Sequence, residues 1–313
     1  MISIAFFIIK LEKLTILGCG SALPASRRNP TAQILEHNGK YFLIDCGEGT
    51  QSRLRENKLS FDKISHIFIS HLHGDHYLGL PGLISSMQLL GRTRPLKLFG
   101  PPGIWEILTL QFKLSKTFIK FSFEFFPVFQ EVELFSLKDL NCRSIELNHR
   151  IDCFGFVFTE KEKPRRINGS MTKEFNVPHY FMNNLRLGED FTFDDGVIIE
   201  NKKLTFDPKK SHSYAFCGDN RVKKDFYKKL IGVTVVYHES TFLHSDLARA
   251  KKTFHTTALE AAKLADKVKP DLLIIGHYSA RYNDSNPFLL EAKEVFKNTI
   301  AGEESSVIDF SKI

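Results

Sequence analysis

Ser70-His71-Leu72-His73-Gly74-Asp75-His76 is the stretch on which the reading of this chain turns. Three imidazoles and a carboxylate fall between positions 71 and 76, directly after the apolar run 66–69, which has strand length and composition. In a turn that leaves a strand, residues i and i+2 can face the same way. His71 and His73 then reach one metal ion while Asp75 and His76 face a second, and Gly74 permits the sharp turn. Imidazoles and a carboxylate this dense are the mark of a zinc-type site rather than of core packing.

One loop cannot saturate two ions, so further ligands must arrive from later strand ends. His149 follows the apolar run 144–147, Asp219 follows 214–217 and His277 follows 272–275. The set then closes: His71, His73 and His149 hold one ion, Asp75, His76 and His277 hold the other, and Asp219 bridges them. Two zinc ions ~3.5–4 Å apart clamp the attacking and leaving oxygens of an in-line displacement, which is phosphodiester chemistry. The same ligand types accept manganese.

Working outward, strand-like runs rich in Ile, Val and Phe recur at 14–17, 41–44, 96–99, 121–126, 154–158 and 233–237, beside those already named. Helical spacing appears at 78–90, 104–114, 257–267 and 287–298. The mixture is α/β, with no tandem repeat or low-complexity tract. The segment 161–190 interrupts the strand series with a Lys-, Arg- and Asn-rich, weakly apolar helical pattern and is expected to form an inserted arm. Of the 313 residues, 42% are apolar and 25% charged, a balance that supports one substantial core. A net charge of +7 suits a polyanionic partner, although the basic pairs are scattered. The five cysteines include no C-x-x-C pair and one is odd, which excludes a disulfide framework and a thiolate cluster and points to the reducing cytoplasm. The apolar run 2–9 is too short to span a membrane and lacks export features, so it reads as a strand or an over-long start.

His71-x-His73-x-Asp75-His76 by itself resembles the metallo-β-lactamase superfamily, and its neighbours narrow the resemblance. Leu17-Gly-Cys-Gly-Ser-Ala-Leu-Pro24, Phe42-Leu-Ile-Asp-Cys-Gly-Glu-Gly-Thr-Gln51, Gly79-Leu-Pro-Gly-Leu83, Asn148-His-Arg150 and Gly276-His-Tyr-Ser-Ala-Arg-Tyr282 all resemble the bacterial ribonuclease Z family, from about Leu14 to the last strand. That resemblance implies an αββα sandwich over the whole chain, with the arm at 161–190 acting as a tRNA-binding exosite. It implies an endoribonuclease that removes the 3′ trailer of precursor tRNA with two zinc ions per subunit, acting in the cytoplasm as a homodimer. His238-Glu-Ser-Thr-Phe242 and His255-Thr-Thr257 resemble the family's two supporting motifs. By that resemblance Glu239 orients His255, the acid that protonates the leaving 3′-oxygen, and Asp75 is the base. Asp45 is expected to tether the metal loop rather than bind metal. Two places depart from the family pattern: the arm reads Asn176-Val-Pro-His-Tyr-Phe-Met-Asn183 without a Gly-Pro pair, and Ser26 stands where a lysine is usual.

Two other readings compete. A small-molecule phosphodiesterase or arylsulfatase-like hydrolase of the same fold would share the metal ligands, but would lack the arm and the Glu239–His255 pair. A catalytically dead scaffold or RNA-binding member would have lost ligands, and all seven candidates are present.

Overall fold

Alternation along Lys40–Cys46 sets the layering: Phe42 and Ile44 enter one core cluster while Tyr41 and Leu43 enter another, so this strand is buried on both faces. The computed structural model describes residues 11–24 and 28–313; the readings of the run 2–9 and of Ser26 lie outside them. Two compact units emerge, one of Met1–Thr159 with His212–Ile313 and the other of Glu160–Ser211.

The first unit holds two seven-stranded sheets. One runs in the order Val307–Asp309, Leu11–Gly18, Ala32–His37, Lys40–Cys46, Ile64–Phe68, Leu96–Gly100, Phe123–Pro127. The other runs Thr299–Ala301, Leu272–Gly276, Val235–Glu239, Ser213–Cys217, Cys153–Glu160, Leu140–Leu147, Glu133–Ser136. Phenylalanines from both sheets fill the space between them: Phe68 meets Phe156 with ring centroids 5.2 Å apart, and Phe42 meets Phe158 at 5.9 Å. On the outer face of the first sheet, Ile67 and Leu98 pack with Leu83 and Met87 of the helix Leu80–Leu89 and with Ile104 and Leu108 of Gly103–Leu114. The helix Ala258–Val268 buries Ala261, Ala262 and Ala265 with the second sheet's core. These layers are the expected αββα sandwich.

Every expected strand run lies within or overlaps a strand, while the helix expected over 287–298 stops at Lys293. The chain after it supplies Thr299–Ala301, which pairs in parallel with Leu272–Gly276, and edge pairing takes precedence over helical spacing there.

The second unit, taken alone, runs past Asp190 to Ser211 and is not purely helical. Three short helices, Gly169–Glu174, Met182–Leu187 and Asn201–Leu204, accompany the paired strands Arg166–Ile167 with Thr205–Phe206 and Phe191–Thr192 with Ile198–Ile199. Val177, Leu185, Phe191 and Leu204 form its small core. The pattern read over 161–190 ends before three of these four strands, and each strand is only two residues long, too short to leave a periodic signal.

Candidate metal centre

The loops after Ile64–Phe68, Leu140–Leu147, Ser213–Cys217 and Leu272–Gly276 converge at the carboxyl ends of their strands, which is where open α/β sheets place their sites. A cleft of about 390 Å³ opens there, lined by His73, Asp75, His149, Asp219, His255 and His277 together with Ala22, Arg150 and Thr253. All seven residues expected from the sequence to bind metal meet in this place. One potential ligand group comprises His71, His73, His149 and Asp219, and a second comprises Asp75, His76 and His277.

Atom separations test whether metal ions fit. Two ligand atoms each ~2.0–2.1 Å from one tetrahedral zinc lie about 3.3 Å apart. In the first group His73 Nδ1 lies 2.9 Å from His71 Nε2 and 3.1 Å from His149 Nε2, while Asp219 Oδ2 lies 3.6 and 3.5 Å from those two Nε2 atoms. In the second, Asp75 Oδ2 is 3.5 Å from both His76 Nε2 and His277 Nε2, and Asp219 Oδ1 is 3.4 and 3.0 Å from the same two nitrogens. The two oxygens of Asp219 therefore face one group each. His76 Nε2, His277 Nε2 and Asp219 Oδ1 are buried without a hydrogen-bond partner, a costly arrangement that a cation among them relieves.

The outward-facing nitrogens are held by the protein. His76 Nδ1 donates to Asp45 Oδ2 at 2.7 Å, and Asp45 also accepts the Ser70 N–H at 2.8 Å and the Ser70 hydroxyl at 2.9 Å. That hydroxyl lies 3.0 Å from His71 Nδ1. His149 Nδ1 donates to the Phe254 carbonyl at 3.1 Å, and His277 Nδ1 is 2.9 Å from the Thr241 hydroxyl. Asp45 is thus fully buried in supporting contacts and absent from both ligand groups. Asp45 and His277 take left-handed backbone angles, φ 55° and 62°, local strain of the kind that collects at functional sites. The metal loop lies close to its neighbours: a Cβ on Gly79 would fall 2.1 Å from the Gly47 carbonyl oxygen.

Burial disfavours charge throughout the cluster and, helped by His76, holds the His71 imidazole well below its ordinary pKa. At His76 burial acts the same way but is outweighed by Asp75, Asp219 and Asp45, so this imidazole is held well above its usual value. Burial raises Asp75 and Asp219, yet the charge of His76 at Asp75, and of His277 then His76 at Asp219, keeps both well below the carboxylate range.

Beside it stands His255, whose Nδ1 donates to Glu239 Oε1 at 2.9 Å. Burial works against the imidazolium, but the Glu239 and Asp219 carboxylates prevail and push its pKa up to about 9. Glu239 is fully buried and also accepts from the backbone N–H groups of Asn220, Thr256 and Thr241 and from the Thr241 hydroxyl. The arrangement offers a protonated imidazole next to a metal-ready cluster. Sequence reading did not single out Ser70, Asn220 or Thr241. The hydroxyls of Ser70 and Thr241 stand one residue before His71 and two after Glu239, a local signal that was available, whereas the Phe254 carbonyl carries no side-chain signal at all.

Comparison with known proteins adds three observations. The family model described as anti-Pycsar protein Apyc1 matches residues 12–163, which include the metal loop and His149 but stop short of Asp219, Glu239, His255 and His277. Ribonuclease Z of Bacteroides fragilis is 44% identical over 298 residues, 95% of this chain and 98% of that one, and ribonuclease Z of Phocaeicola vulgatus is 41% identical over 300 residues, 95% and 97%. Among solved structures, the short form of human tRNase Z superposes with a TM-score of 0.68 at 25% identity over 95% of this chain and 98% of that one. The metallo-β-lactamase fold protein YhfI of Bacillus subtilis superposes with a TM-score of 0.69 at 17% identity, over 96% and 99%.

Proposed function

This chain belongs to the ribonuclease Z family, and we propose that it is the endoribonuclease that cuts the 3′ trailer from precursor tRNA, leaving a 3′-hydroxyl on the tRNA and a 5′-phosphate on the trailer. The observation that carries this reading is the Glu239–His255 dyad set against the ligand cluster: it supplies a positioned acid for an alkoxide leaving group, in a metal-dependent nuclease family.

His71, His73 and His149 would hold one zinc ion, Asp75, His76 and His277 a second, with Asp219 shared; manganese suits the same ligands. Bound there, such a pair lowers the pKa of water and offsets charge on the phosphoryl oxygens. Asp75, whose Oδ2 also accepts the Ala22 N–H at 2.7 Å, takes the proton of the attacking water. His255 gives its Nε2 proton to the 3′-oxygen as it leaves, and Glu239 keeps the ring turned toward that oxygen and charged. A positioned acid of this kind contributes ~10²–10⁴ in rate.

A polyanionic substrate accords with the cations near the cleft. Arg150 lines it and reaches toward the Lys252 carbonyl at 3.4 Å, Arg221 lies over the Phe254 ring, and neither these two nor Lys251 and Lys252 form an ion pair among the described residues. The unit Glu160–Ser211 is proposed as the tRNA-binding exosite. It carries ten Lys and Arg against nine Asp and Glu, a net of +1, so its grip draws on exposed side chains such as Tyr180 more than on long-range charge. The homodimer expected for the family finds support in the exposed Leu89, Leu90, Leu110, Leu114 and Phe118, an apolar series at the ends of two neighbouring helices in the chain. Cytoplasmic action agrees with five free, buried cysteines; no described helix is long and apolar enough to cross a membrane.

The test is cleavage of a precursor tRNA bearing a 3′ trailer, with product ends mapped at nucleotide resolution. A single cut after the discriminator base, abolished by chelator and restored by zinc, is the expected result. A protein that binds two metals and hydrolyses a small phosphodiester, yet leaves precursor tRNA intact, would be a small-molecule hydrolase of this fold.

A further inference from the structure

The Thr241 hydroxyl sits where three functional side chains meet. Its Oγ1 is 2.6 Å from Glu239 Oε2, 2.9 Å from His277 Nδ1 and 3.3 Å from His255 Nδ1, and Thr241 is buried. A hydroxyl has one hydrogen and two lone pairs. Glu239 receives three backbone N–H groups and His255 Nδ1 on its two oxygens, and a carboxylate so surrounded by donors only accepts. The hydroxyl hydrogen must therefore point at Glu239, which leaves only lone pairs for His277. His277 Nδ1 must in turn carry a proton, so that in the neutral ring, the form a metal ion binds, the lone pair falls on Nε2, the atom 3.0 Å from Asp219 and 3.5 Å from Asp75.

We propose that Thr241 is a positioning residue: its hydroxyl, turned by Glu239, holds His277 in the tautomer whose Nε2 can bind metal, and so ties the acid dyad to the second metal position. The inference rests on His277 being a ligand, as in the reading above. A parallel chain elsewhere in the centre supports it. Asp45 takes the Ser70 hydroxyl hydrogen at 2.9 Å, and the Ser70 oxygen lies 3.0 Å from His71 Nδ1, so carboxylate, hydroxyl and imidazole follow in the same order. Each ligand group thus has one histidine whose tautomer is set through a hydroxyl rather than by a carboxylate directly, and only the Thr241 chain shares its carboxylate with the acid. Partners of this kind affect metal affinity by ~10–100-fold.

The experiment titrates zinc against a chromogenic chelator in the full chain, comparing the parent with Thr241→Val, Thr241→Ser and His277→Ala. Thr241→Val keeps the shape and removes the hydroxyl. It should weaken one of two zinc positions by ~10–100-fold and leave the other unchanged, while Thr241→Ser should bind as the parent does. Nitrogen-15 spectra of the zinc-free parent should show His277 protonated at Nδ1, a readout available even if Thr241→Val folds poorly. Parent-like zinc binding by Thr241→Val, an equal loss in Thr241→Ser, or a neutral His277 with its proton on Nε2 and none on Nδ1 in the parent would each overturn the proposal. If His277→Ala also binds two zinc ions as tightly as the parent, the ligand assignment itself has failed, and the tautomer argument falls with it.

Discussion

Replacing Glu239 by glutamine exchanges one carboxylate oxygen for an NH2 group, and the consequence can be worked out from its five hydrogen bonds. Oε1 accepts from Asn220 N at 3.1 Å, Thr256 N at 3.1 Å and His255 Nδ1 at 2.9 Å; Oε2 accepts from Thr241 N at 2.9 Å and Thr241 Oγ1 at 2.6 Å. All five partners are donors, and the amide accepts on one side only. The less costly orientation turns the NH2 toward Thr241, whose hydroxyl can rotate to accept but whose backbone N–H then loses its only acceptor in a fully buried place. An orphaned buried donor costs about 1–3 kcal/mol, and losing the charge on the remaining bonds adds about as much, so Glu239→Gln should destabilise the fold by about 2–6 kcal/mol. Urea unfolding with chelator present, which removes linkage to metal binding, measures this as a lower midpoint at unchanged slope. Cleavage of precursor tRNA by the folded, zinc-loaded variant should fall ~10²–10⁴-fold as His255 loses its anionic partner. A variant within about 0.5 kcal/mol of the parent would refute the five-donor account, because that is the range of an inconsequential surface change.

Asp219→Ala removes the carboxylate shared by both ligand groups, so metal content measured by elemental analysis after dialysis should drop at both positions; loss of one ion alone would show that Asp219 serves a single site. Gly79→Ala drives a methyl group to 2.1 Å from the Gly47 carbonyl and should lower stability by about 1–3 kcal/mol, read as a thermal midpoint shift, whereas an unchanged midpoint would mean that the two strand-end loops separate freely. Excising the unit Glu160–Ser211 and closing the chain with a short turn should weaken tRNA binding in a filter assay while hydrolysis of a small chromogenic phosphodiester persists. Equal tRNA affinity with and without that unit would remove it from the exosite role.

How far the amino-acid sequence alone reached follows from the kind of information each feature carries. The seven metal-binding candidates were legible because a ligand at a strand end leaves a local trace: an apolar run followed at once by histidine or aspartate. The two sheets were legible through the Ile-, Val- and Phe-rich runs, since burial selects residue type position by position. The strand Ala32–His37 and the helix Thr50–Glu56 gave weaker signals, as each is short and carries polar residues. Glu239 and His255 were visible only through motifs, because nothing in their spacing shows that the two side chains meet at 2.9 Å.

Which atom of each histidine faces the metal centre was decided by tertiary structure alone. His73 presents Nδ1 while His71, His149, His76 and His277 present Nε2, and the difference lies in side-chain torsions and in partners 76 or more residues distant for contacts such as His73 with His149. The same holds for Ser70, Thr241 and the Phe254 carbonyl, and for the short strands that carry the inserted unit on to Ser211. A sequence records which chemical groups are available and with what period they recur; orientation, tautomer and main-chain partnership exist only once distant strands have paired and brought their ends together.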